Sequence, residues 1–249
     1  MTEEQWKYFC DFKKVFKNKV EEWRAQAPEL NELQREAARI AKNAEYPFET
    51  SVVYNRALDD VKPEDEIKLI VIGDNPGKDE QLARNNRYLV GQAGKIAEGY
   101  FRRNPELGVD FRRNAIILNK TPVHSAKTIQ LNTIAKLGGE KIATLLKESQ
   151  IWMAQKTAEL HSKLGTELWL VGYSELKDKK IFCPYRDALK ASCTEEAWNR
   201  VYVFQHFSMN RFSIDLADFI KAEKKENAPL ESNIHELGVL HRNEIFGSR

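Results

Sequence analysis

Three cysteines in 249 residues, Cys10, Cys183 and Cys193, are too few and too far apart for a disulfide framework or a thiolate metal site. They are expected as reduced thiols. No apolar run approaches the roughly 18 residues that a membrane-spanning helix needs. The start, Met1-Thr2-Glu3-Glu4-Gln5-Trp6, is acidic where a secretory leader is basic and then apolar. The expectation is a cytoplasmic protein with no membrane partner, acting as a monomer. Net charge is also scarce, at +2, so charge balance alone does not announce a nucleic-acid binder. There is no internal repeat, low-complexity tract or linker-like stretch, which leaves a single domain over 1–249.

What is present is the composition of an ordinary globular protein, 42% hydrophobic and 31% charged. Charge is uneven along the chain. From Lys78 to Lys127 there are ten Lys or Arg against five Asp or Glu, whereas residues 1–50 carry nine against ten. A local basic excess of this kind fits either a solvated face or an anionic partner.

Thr2 and Gln5 have the spacing of a capping box, and Trp6, Phe9, Phe12, Phe16, Val20 and Trp23 recur at helical intervals before Pro28. A second helix is expected over 30–44, so that 1–50 forms an N-terminal helical extension packed on the body. Four apolar runs of strand length follow, Ile67–Gly73, Ala115–Asn119, Glu167–Gly172 and Val201–Gln205, each separated by enough chain for a crossover. Helical patterns occupy 91–103, 141–163, 185–192 and 214–225. The fold class that follows is α/β: a three-layer α/β/α arrangement with a central, mainly parallel four-stranded sheet, preceded by N-terminal helices. Residues 226–249 lack a strong period and are expected as an irregular extension.

Three of the strand runs end in polar side chains: Asp74 and Asn75 after the first, Asn119 after the second, Gln205 and His206 after the fourth. Ligands of open α/β sheets bind outside the carboxyl ends of the strands. The ends also carry turn chemistry, with Gly73-Asp74-Asn75-Pro76-Gly77 after the first strand and His206-Phe207-Ser208-Met209 after the last.

Over about residues 67–213 these motifs, in this order, resemble the uracil-DNA glycosylase superfamily. Members carry a G-x-x-P-G or related loop after the first core strand, an apolar strand ending in Asn, and a histidine loop of H-P-S type after the last. Gly77-Lys78-Asp79-Glu80 and Val90-Gly91-Gln92-Ala93-Gly94 are similar to the P-G-x-x-E and V-G-x-A-G of the iron-sulfur branch, whose four cysteines this chain lacks. The resemblance implies a cofactor-free, metal-free hydrolase that cleaves the N-glycosidic bond of uracil or a related deaminated base, with DNA as partner.

The chemistry of base excision explains the residue types. The nucleotide must leave the duplex for a pocket. His206 matches the residue that stabilises negative charge on the departing pyrimidine, and Asn119 the residue that reads its polar edge. The attacking water has two candidate holders, Asp74 and Asn75; an amide cannot act as a base, which favours Asp74 as the charged group and Asn75 as its partner. Leu89 stands where the iron-sulfur branch has Phe, with Tyr88 as the alternative stacking residue. Met209, Arg211 and Phe212 are candidates to fill the vacated base position. Pro76, Gly77, Ser125 and Ser208 are candidate phosphate contacts, and Lys78, Lys120 and Lys127 add nonspecific affinity. Two rival readings stay open: a superfamily member that binds nucleic acid or a free base without chemistry, and an enzyme acting on a small nucleotide.

Overall fold

A computed structural model describes residues 1–247. In chain order the elements are α1 (Glu3–Gln26), α2 (Leu30–Ile40), β1 (Leu69–Gly73), α3 (Gln92–Arg103), β2 (Ala115–Asn119), α4 (Gln130–Leu164), β3 (Glu167–Val171), α5 (Cys183–Ser192), α6 (Glu195–Trp198), β4 (Val201–Phe204), α7 (Arg211–Ala222) and α8 (Leu230–Phe246). Short 3-10 turns join several of them.

The four strands form one wholly parallel sheet in the order β2-β1-β3-β4. Alternating residues of each strand feed two separate buried clusters, which is why the strands read as unbroken apolar runs. Ile70, Ile72, Leu118, Leu170 and Val203 pack on one face with Phe9, Phe16 and Trp23 of α1 and Leu145, Leu146 and Met153 of α4. Leu69, Val71, Ile117, Trp169 and Phe204 pack on the other with Phe101 of α3, Phe212 of α7 and Leu237 of α8. The result is the three-layer α/β/α fold.

The capping box forms as its spacing predicts: Gln5 N–H donates to Thr2 Oγ1 at 3.2 Å and Thr2 N–H to Gln5 Oε1 at 2.9 Å. Two expectations need correction. α4 starts at Gln130 rather than 141, continuing through a break at Gly139, whose φ of 64° no other residue type adopts readily. The C-terminal extension is not irregular. Residues 230–246 form α8, whose Ile234, Leu237, Gly238, His241 and Ile245 make one buried stripe. Two of those five positions are glycine and histidine, so the stripe is faint in hydrophobicity. Among the described residues no helix is long and apolar enough to cross a membrane.

Strand order decides where the site lies. The chain moves from β1 outward to β2, then returns past β1 to β3, so direction reverses between β1 and β3. In doubly wound sheets the crevice at such a reversal, at the carboxyl ends of the strands, is the ligand-binding place.

Candidate functional site

At that crevice lies a cavity of about 880 Å³. Its wall includes Asp74 and Asn75 after β1, Asn119 ending β2, Gly172 after β3, and Gln205 and His206 after β4. Four strand ends far apart in sequence therefore meet in one space.

Asp74 is held from beneath. Its Oδ1 accepts from the Lys120 ammonium at 2.5 Å, and that ammonium also donates to Val171 O at 2.5 Å and lies 5.0 Å from the Phe182 ring centre. Lys120 is fully buried, so burial pulls its pKa down while Asp74 opposes the fall. The other oxygen, Oδ2, is reached by the Thr128 hydroxyl at 3.2 Å. Gly172 makes room for this pair: its φ is +92°, and a Cβ there would stand 2.3 Å from Asp74 Oδ1 and 3.1 Å from Lys120 Nζ.

Asn75 is held more completely. Its amide nitrogen faces Ser125 Oγ at 2.9 Å, Ser125 O at 3.0 Å and Pro76 O at 3.1 Å, and the Thr128 hydroxyl lies 3.1 Å from its Oδ1. Both amide hydrogens are consumed by protein acceptors. Asp74 thus has the freer oxygen for a water, and Asn75 reads as a wall that fixes the loop.

Asn119 forms the inner surface. It is 1% exposed, and its Nδ2 has no hydrogen-bond partner, although buried donors are almost always satisfied. A Cβ on Gly73, its register partner in β1, would come within 2.5 Å of Asn119 Oδ1. That pairing needs glycine to let the amide sit there.

His206 is oriented by its own loop. Ser208 N–H donates to Nδ1 at 3.1 Å, with Ser208 Oγ at 2.9 Å. Nδ1 is therefore an acceptor, and the neutral ring carries its proton on Nε2. Burial pushes the imidazole pKa down, Asp74 opposes and Lys120 adds to the fall. The ring is a neutral donor at neutral pH.

Glu80, which the strand-end reading left without a role, also lines the cavity. Its Oε2 accepts from Gly77 N–H at 3.2 Å and its Oε1 from Leu89 N–H at 2.9 Å, tying the β1 loop to the segment before α3. Burial raises its pKa to about 7 despite both bonds. An acid three residues past the glycine of a strand-end turn was the available signal. For Lys120 the signal was register: Gly73 pairs with Asn119, so the next residues, Asp74 and Lys120, are neighbours of opposite charge.

Several expected ligand contacts are corrected. Tyr88 does not line the cavity; it is buried and its hydroxyl donates to Val53 O at 2.5 Å, so Leu89 is the residue of that pair on the wall. Lys120 cannot serve as a surface phosphate contact because Asp74 and Val171 occupy it in the interior. Pro76 is buried, with its carbonyl taken by His124 Nδ1 at 2.8 Å. Gly77 N–H is spent on Glu80, and the Ser125 hydroxyl donates to Lys127 O at 3.0 Å. Phe212 is core, 1% exposed and stacked 5.7 Å from Trp169. Lys78, Lys127, Ser208, Met209 and Arg211 do line the cavity, with Met209 73% exposed at φ +54°.

Among the described residues one group of three potential metal ligands converges to within 4.8 Å, Glu167, Glu231 and His235. It lies at the opposite end of β3 from the cavity. No family model, curated protein or solved structure matches the chain.

Proposed function

We propose that the protein is a monofunctional DNA glycosylase of uracil-DNA glycosylase type, removing uracil or a related altered base by hydrolysis of the N-glycosidic bond. One observation carries the reading: Asp74, Asn75, Asn119 and His206, each after or ending a different apolar strand or in its loop, share one cavity at the reversal of strand order. In this reading a flipped base places an acceptor against the unpartnered Asn119 Nδ2. The His206 Nε2–H faces the base oxygen on which negative charge grows as the C1′–N bond opens. Asp74 Oδ2 holds a water, takes its proton as the oxygen joins C1′, and faces the positive charge of the opening sugar.

The test is release of free base from uracil-containing single- and double-stranded oligonucleotides. Release by the wild type, falling about 100-fold or more in His206→Ala, supports the reading. No release from either substrate overturns it. One feature favours a second reading, a protein that binds nucleic acid without chemistry: apart from His206 no aromatic ring lines the cavity among the described residues, leaving Leu89 to cover the face of a base. Salt-dependent DNA binding without base release would select that alternative.

A further inference from the structure

Carboxyl groups outnumber cations on the cavity wall. Asp74, Asp79, Glu80, Glu175, Asp215 and Asp218 face Lys78, Lys127 and Arg211. Lys127 and Arg211 are exposed, as are Asp79 and Asp218, so water and salt screen them. The shielded carboxyls are Asp74, Glu80, Glu175 and Asp215. Against these, Lys78 is drawn over the Tyr46 ring, 4.8 Å from its centre, and Lys120 is already spent on Asp74.

Two of the shielded acids are incompletely met. Asp215 Oδ2 has no hydrogen-bond partner, its nearest cationic group being His241 Nε2 at 3.7 Å. Burial raises its pKa against the pull of His241, with Asp218 and Glu244 raising it further. Burial likewise holds Glu80 at about 7. A bound cation would return both to their ionised forms. An independent observation points to a ligand in the same space: Asn119, 1% exposed, turns an unpartnered amide nitrogen to a cavity large enough for a purine nucleoside.

On the glycosylase reading, we propose that the cavity accepts bases whose ring carries a positive charge, the N-alkylated purines, and prefers them to their neutral parents. The bond chemistry agrees with the wall. When a neutral base leaves, the electron pair of the C1′–N bond puts negative charge on it, which shielded carboxylates oppose. When an N-alkylated purine leaves, the same pair neutralises the ring. Water supplies the oxygen that joins C1′, its proton passes to Asp74, and the base departs uncharged. Attraction between carboxylate and cation also takes the place of the missing aromatic stack.

Calorimetric binding of 1-methyladenosine, cationic at neutral pH, against adenosine reads the preference directly. The methylated nucleoside is expected to bind about tenfold more tightly. The preference should shrink in Glu175→Gln and Asp215→Asn, each checked for its native circular dichroism. Alkylated purines should be released from methylated duplex DNA. Equal affinities, no binding of either nucleoside, or a preference unchanged in the double variant would overturn the proposal. Uracil release with no preference for the cation overturns it too and leaves the glycosylase reading standing. A carboxylate-dependent preference without release of any base upholds the selectivity and removes the glycosylase reading instead.

Discussion

Lys120 and Asp74 hold each other because neither charge is stable in that position alone. The ammonium is fully buried and the carboxylate side chain 13% exposed. Breaking such a pair by removing one partner typically costs about 3–5 kcal/mol, whereas replacing both is far milder. Asp74→Asn is therefore expected to lose roughly that much stability in urea denaturation, and Asp74→Asn/Lys120→Met to recover most of it. A double variant as unstable as the single one would refute the coupling. Glu80 makes a pH prediction. Its folded-state pKa of about 7 lies above the ordinary 4.5, so the native state keeps a proton that the unfolded chain has lost. The sign follows: stability is fully present below 4.5, falls as pH rises to about 7, and is flat beyond, by about 3 kcal/mol in all. Denaturation midpoints measured across that window should decline in the wild type and stay level in Glu80→Gln. The strand-end residues Asp74, Asn75, Asn119 and His206 were legible because polar side chains directly after apolar runs stand out. Tyr88 and Lys120 were misplaced because side-chain direction in a loop or just past a strand depends on neighbours that the local sequence does not name.

At the scale of elements, the strands and most helices follow local physics. Each strand is buried on both faces, so its apolar run is unbroken, and α1 carries a helical stripe of aromatics with its cap in front. α8 failed that logic because its buried stripe includes Asn233, Gly238 and His241, residues whose burial depends on the partner they meet. A Cβ at Gly238 would come within 2.8 Å of both Tyr202 and Phe204, which shows how closely this helix packs on β4. Leu237, 2% exposed, belongs to the same cluster. Leu237→Ala is expected to cost about 2–5 kcal/mol, measured by chemical denaturation. A change under about 0.5 kcal/mol, the range of surface substitutions, would mean that α8 is not an integral layer.

For the whole molecule, the two clusters on opposite faces of one sheet make every layer depend on the same four strands. A chain ending before Leu230 would uncover the aromatic surface around Phe204, and is expected to bind a hydrophobic dye and to lose cooperative unfolding. A soluble, cooperatively folding truncation would contradict this dependence. The sequence by itself determined the fold class, since double-sided burial and crossover-length separations admit a parallel sheet with helices on both faces. It also marked the polar strand ends. Only the tertiary structure decided which ends meet, through the strand order β2-β1-β3-β4. It also decided that Lys120 turns inward to Asp74, that Tyr88 leaves the cavity, and that the wall carries more shielded carboxyls than cations. Those outcomes depend on pairing and burial between segments tens of residues apart, and no local periodicity encodes them.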